Sequence, residues 1–122
     1  MLDITTNNTE TNPDLLLETF FKTFDSFSDD EKRRFEEAWA FLLEKTADLT
    51  RACGLPYFLH PMRVASILAQ AKLDIDSVIS GLLHSIFEID GVSEDEVKSR
   101  FGGTVFKIVR DTSKITGMKI NA

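Results

Sequence analysis

Apolar side chains recur along this chain at intervals of three and four residues, the period of one face of an α-helix. Leu15, Leu16, Phe20 and Phe24 form the first such face, opened by Asn12 as N-cap and Pro13 at the first helical position. Ser28-Asp29-Asp30-Glu31 has the form of a capping box. The helix it opens carries Phe35, Trp39, Leu42, Leu43 and Leu49 on one side, to about Thr50, where Gly54 and Pro56 break it. Pro61 suits the start of a helix bearing Val64, Ile67, Leu68 and Ala71. Asp74 caps the next, with Ile75, Val78, Ile79, Leu82 and Ile86 as its stripe and Gly91 as its end. Ser93-Glu94-Asp95-Glu96 is a second capping box, heading a short helix to about Arg100. After a Gly102-Gly103 turn, Val105, Ile108, Val109 and Thr112 mark a last helix. No segment alternates apolar and polar residues for long enough to make a strand. The pattern predicts an all-α fold of about six helices over residues 13–122, without internal repeat. Residues 1–12, mostly Thr, Asn, Asp and Glu, bury nothing and read as a flexible N-terminal tail.

Composition supports one folded unit. The chain has 122 residues, 43% hydrophobic and 28% charged, which is enough to bury a core without disulfides or metal. Its ten phenylalanines fall at helical spacings and read as core. The charge, 14 − 20 = −6, argues against a nucleic-acid coat and against an anionic membrane surface. No apolar run approaches a bilayer span, and Met1-Leu2-Asp3-Ile4 lacks the basic start and apolar stretch of a signal peptide. The single cysteine, Cys53, forms no internal disulfide, so a reducing, cytoplasmic setting is expected.

Chemistry concentrates around two histidines. His60 sits between Leu59 and Pro61 at a helix entry, where it either satisfies backbone groups or binds a ligand. His84 lies in the most apolar predicted helix, either as a buried histidine with one hydrogen-bond partner or as part of a site. Ser77, Gly81, His84, Ser85 and Glu88 are spaced to share one helical stripe. A glycine at 81 costs a helix roughly 1 kcal/mol relative to alanine, so it makes room for a close neighbour: a ligand, the His60 loop or another helix. Two imidazoles and a carboxylate are compatible with a transition metal. Arg51 is either a cation at a helix C-terminus or a guanidinium for a base or phosphate. Cys53 reads as a small side chain rather than a nucleophile, and there is no glycine-rich phosphate loop.

The run Arg51-Ala52-Cys53-Gly54-Leu55-Pro56-Tyr57-Phe58-Leu59-His60-Pro61-Met62-Arg63-Val64-Ala65 resembles the start of the hydrolase domain of RelA/SpoT homologues, which make and degrade (p)ppGpp. That family follows it with G-L-L-H-D-x-x-E-D, which here reads Gly81-Leu82-Leu83-His84-Ser85-Ile86-Phe87-Glu88-Ile89. Phe101-Gly102 to Val109, then Ser113-Lys114-Ile115, matches a third motif. The resemblance covers roughly residues 36–117. It implies an HD-type helical bundle that removes the 3′-pyrophosphate of (p)ppGpp with manganese. His60 and His84 then match metal ligands, Glu88 the first half of the catalytic Glu-Asp pair, and Arg51 the arginine packed on guanine.

The departures fall on the acids. Ser85 stands where the aspartate after the second metal histidine belongs, and Ile89 replaces the aspartate after Glu88. Thr46, Leu49 and Leu55 also replace polar family residues. The family's last metal aspartate lies beyond the third motif, so the chain is expected to be C-terminally incomplete relative to the family. Loss of negative ligands lowers metal affinity, while removing desolvated charge favours the fold. The leading expectation is a degenerate, hydrolase-impaired domain with a regulatory or structural role in the stringent response. One alternative is an active, manganese-dependent (p)ppGpp 3′-pyrophosphohydrolase, with Asp90, Asp111 or a partner chain supplying the replacement ligand. The other is a helical self-association module with no cofactor.

Overall fold

The structure, a computed structural model, describes residues 12–49 and 54–121. Among them lie six α-helices and no strand: α1 (Pro13–Thr23), α2 (Asp29–Thr46), α3 (Leu59–Gln70), α4 (Ile75–Leu82), α5 (Glu94–Phe101) and α6 (Gly103–Asn121), with one 3₁₀ turn at Ile86–Glu88. The all-α expectation holds. Residues 1–11 of the expected tail, and Thr50, Arg51 and Cys53, lie outside the described residues. No helix among the described residues is long and apolar enough to cross a membrane.

Local chemistry explains the starts. Asn12 Oδ1 accepts from the N–H groups of Asp14 and Leu15 at 3.0 and 3.2 Å. At α2 the capping box closes in both directions: the Glu31 N–H donates to Ser28 Oγ at 3.2 Å and the Ser28 N–H to Glu31 Oε1 at 2.8 Å. Asp74 and Ser93 cap α4 and α5. At α5, Glu96 is drawn elsewhere: its carboxylate pairs with Lys45 of α2 at 3.6 Å and with Arg100 at 3.5 Å.

The ends depart more from expectation. α2 stops at Thr46, short of Thr50. The Thr46 hydroxyl donates to the Leu42 carbonyl at 2.7 Å, and the Leu49 N–H closes a tight turn on Thr46 O at 3.0 Å. Leu49 is consequently exposed rather than on the core side. α4 stops at Leu82, so the stripe expected to run through His84 to Glu88 is not one helical face. The Gly81 carbonyl accepts from the Leu83 and His84 N–H groups, the tight bonds of a closing turn.

The core joins all six helices. Phe35 stacks on Phe20 with centroids 4.4 Å apart, fastening α1 to α2. All ten phenylalanines are buried or packed against the core, as their spacing predicts. α4 is the central rod: it packs on α2, α3 and α6, and Ile75 and residues 78–82 are all buried. Of the expected Val64/Ile67/Leu68/Ala71 stripe, α3 turns only Val64 and Leu68 inward. Pro61, Met62, Ala65 and Ala69 are buried, Val64 and Leu68 are half-buried, and Ile67 is 60% exposed. Val64 and Leu68 face α4 at close range: a Cβ on Gly81 would lie 2.4 Å from Leu68 Cδ1 and 3.2 Å from Val64 Cγ1. Of the neighbours expected for Gly81, the structure supplies a helix.

Candidate functional site

The α3–α4 contact brings the two histidines together. His60 is the second residue of α3 and exposed; His84 stands in the turn after α4 and is half-buried. Their ring centroids lie 5.2 Å apart, with planes inclined at 68°. His84 Nδ1 is 2.7 Å from the Gly81 carbonyl oxygen. A carbonyl only accepts, so Nδ1 carries the hydrogen in this contact. The glycine one turn back therefore has two effects. Its missing side chain lets α3 approach, and its carbonyl orients the imidazole.

The other expected residues separate from this pair. Ser85 is half-buried and leads into the 3₁₀ turn. Glu88 ends that turn and is exposed. It lines an open cleft of about 480 Å³ together with Glu44, Asp48, Asp90, Lys45 and Tyr57. Four carboxylates against one ammonium make this wall strongly acidic among the described residues. Asp111, the other suggested replacement ligand, pairs with Arg110 at 3.6 Å. Ile89 does not face the cleft alone: it is 9% exposed and belongs to the hydrophobic core. Arg51 lies outside the described residues, so its expected packing on a base has no geometry to report. Two other acidic residues that share the cleft, Glu44 of α2 and Asp48 of the turn after it, were not singled out by sequence. They lie far from Glu88 along the chain, and no local motif announces them.

Among the described residues, no three His, Cys, Asp or Glu side chains are grouped to hold a metal ion. The donors that do meet are two imidazoles, with a serine hydroxyl next in sequence. That set does not fit a hard cation, which requires carboxylate oxygen.

Comparison with known proteins covers most of the chain. The HD domain family matches residues 38–122. A guanosine-3′,5′-bis(diphosphate) 3′-pyrophosphohydrolase of Aquifex aeolicus is 37% identical over 84 residues, 69% of this chain and 12% of that protein. The bifunctional (p)ppGpp synthase/hydrolase SpoT of Escherichia coli is 32% identical over 91 residues, 75% of this chain and 13% of that protein. A GTP pyrophosphokinase of Myxococcus xanthus is 38% identical over 72 residues, 59% of this chain and 10% of that protein. The chain thus spans about an eighth or less of each of these relatives. With helices, histidine pair and sequence match in agreement, the chain belongs to the HD domain family, of the RelA/SpoT type.

Proposed function

We propose that this chain is a hydrolase-impaired HD domain acting in (p)ppGpp metabolism, with a regulatory or structural role. One observation carries the reading: Ile89, at the position of an expected acid, is packed into the apolar core. A branched aliphatic side chain there neither positions water nor balances a cation. Ser85 beside His84 removes a second negative charge. A manganese ion would be held by His60 and His84 without charge compensation, and Glu88 would have no acidic neighbour at residue 89 to share its work. The acidic wall around Glu88 also opposes a polyanionic nucleotide unless a cation screens it. The lone cysteine supports a cytoplasmic setting.

The test is to incubate the purified chain with ppGpp and Mn²⁺, titrating binding by calorimetry and following pyrophosphate in the same samples. No metal-dependent release is expected. Release that disappears in His84→Ala would replace this reading with the active hydrolase, which the meeting of His60 and His84 favours. Self-association is the reading favoured by Ile67, 60% exposed, and Leu73, 44% exposed, at the α3 end of the molecule. A monomer by light scattering at high concentration would remove it.

A further inference from the structure

Charge is unevenly spread along this chain. Residues 97–122 hold six of the 14 cations and one of the 20 acids. The structure gathers part of this basic segment on the surface. Lys98 of α5 and Arg110 of α6 both stand over the ring of Phe106, at 5.8 and 5.3 Å from its centroid. Lys107 follows Phe106 and is exposed. Cation–π contacts hold the two charges in place without neutralising them. Among the described residues, neither Lys98 nor Lys107 pairs with a carboxylate, and Arg110 meets Asp111, its neighbour in the chain.

Phe106 also joins this patch to the acidic cleft. Its ring meets Phe87 edge-on, with centroids 6.2 Å apart. Phe87 belongs to the 3₁₀ turn, and the next residue, Glu88, lines the cleft with Glu44, Asp48 and Asp90. Those four carboxylates have no cation partner among the described residues either, and the Lys45 ammonium is engaged by Glu96. A positive and a negative cluster thus adjoin along the 3₁₀ turn, each without an internal partner. Between them Phe87 and Phe106 are half-buried, and Leu49 on the cleft wall is 41% exposed. An apolar strip bordered by charged residues has the anatomy of a protein interface.

Adjoining patches of opposite sign complement themselves under a two-fold rotation, which lays the cations of each copy on the acids of the other. We propose that this face is the interface of a homodimer, in which Lys98, Lys107 and Arg110 of each copy meet Glu44, Glu88 and Asp90 of the other. The charge of −6 on each copy opposes association, but over a longer range. Screening sets in beyond about 10 Å at 0.1 M salt, so attraction between side chains in contact outlasts repulsion between the bulk of the two molecules. The interface does not include Ile67 or Leu73, the exposed apolar pair at the α3 end. It goes beyond the reading of the domain as hydrolase-impaired and does not depend on it.

The experiment is sedimentation velocity on the full chain over a concentration series, repeated with charge variants. The wild type is expected to pass from monomer to dimer as concentration rises, and back toward monomer as salt is added. Lys98→Glu with Lys107→Glu, and separately Glu44→Lys with Asp90→Lys, should each raise the dimer dissociation constant about tenfold or more, since like charges then face each other. All four positions are exposed, and circular dichroism checks that the variants stay helical. Mixing the two double variants should restore dimers as heterodimers, because every acidic patch again meets a basic one. A folding defect cannot produce that rescue. Ile67→Ser should leave dimerisation unchanged. A wild type monomeric at every concentration, a dimer indifferent to both charge reversals, a mixture without heterodimer, or a dimer lost in Ile67→Ser overturns the proposal. A monomer that instead binds poly-glutamate through Lys98 and Lys107 assigns the patch to an acidic partner and likewise overturns it. Pyrophosphate release from ppGpp tests the hydrolase-impaired reading separately, so the two failures are told apart.

Discussion

Ile89 is a packing residue. Its side chain is 9% exposed and sits with Leu82, Leu83 and Ile86 in the core, at the end of a 3₁₀ turn rather than on a helix face. A carboxylate installed there would meet apolar neighbours, so the acid cannot be restored by one substitution. Ile89→Asp is expected to lower stability by about 2–4 kcal/mol, through lost burial and a desolvated carboxyl. Urea denaturation checks it, and a variant as stable as the parent would show that residue 89 still faces water. Ser85 is different: it is half-buried, next to His84 in the chain. The sequence makes both departures legible, but not the difference in what each has become.

α4 shows how an element holds the site. Its first turn is pinned by Asp74, whose Oδ1 accepts from the Ser77 hydroxyl at 2.8 Å and whose Oδ2 accepts from the Ser77 N–H at 3.4 Å. The Ser77 hydroxyl, and to a lesser degree the backbone donors, hold the Asp74 carboxyl below its ordinary value of 3.8, with slight burial opposing them. A carboxyl lowered in the folded state contributes stability that is present above pH 3.8 and lost as the pH falls through the folded value. Asp74→Ala is therefore expected to cost about 1 kcal/mol at neutral pH and much less near pH 2. Thermal melts of parent and variant across that range check it; a constant difference would mean that the charge is not involved. At its other end α4 stops at Leu82, which turns His84 out of the helix and toward His60. Helical spacing placed Ser77, Gly81, His84, Ser85 and Glu88 on one stripe. The closing turn on the Gly81 carbonyl divides them, sending the imidazole to α3 and Glu88 to the acidic cleft.

Across the molecule, the aromatic stack and two inter-helix ion pairs set how the helices sit. Phe35 is fully buried and stacks on Phe20, and Phe21 meets Phe35 edge-on with centroids 5.7 Å apart. Phe35→Ala is expected to cost about 3–5 kcal/mol, a large share of a small domain's stability. Denaturant titration followed by Trp39 fluorescence checks it, and a loss below 1 kcal/mol would mean that α1 is not fastened through this ring. Arg34 pairs with Asp76 to link α2 and α4, and Lys45 pairs with Glu96 to link α2 and α5. Both pairs are partly exposed, so they orient helices more than they stabilise them.

The sequence by itself determined the all-α class, the capped starts of α1, α2, α4 and α5, and the aromatic core, and it singled out the two histidines as candidates. Each is a local matter: caps act within four residues, and a helical apolar stripe must be buried somewhere. Only the tertiary structure decided which face of α3 goes inward, because that depends on how closely Val64 and Leu68 can approach Gly81. It likewise decided that His60 and His84 meet, that Glu88 joins Glu44 and Asp48 instead, and that Ile89 belongs to the core. These outcomes depend on contacts between segments distant along the chain and on where α4 ends. Residue spacing along one strand of sequence carries no information about either.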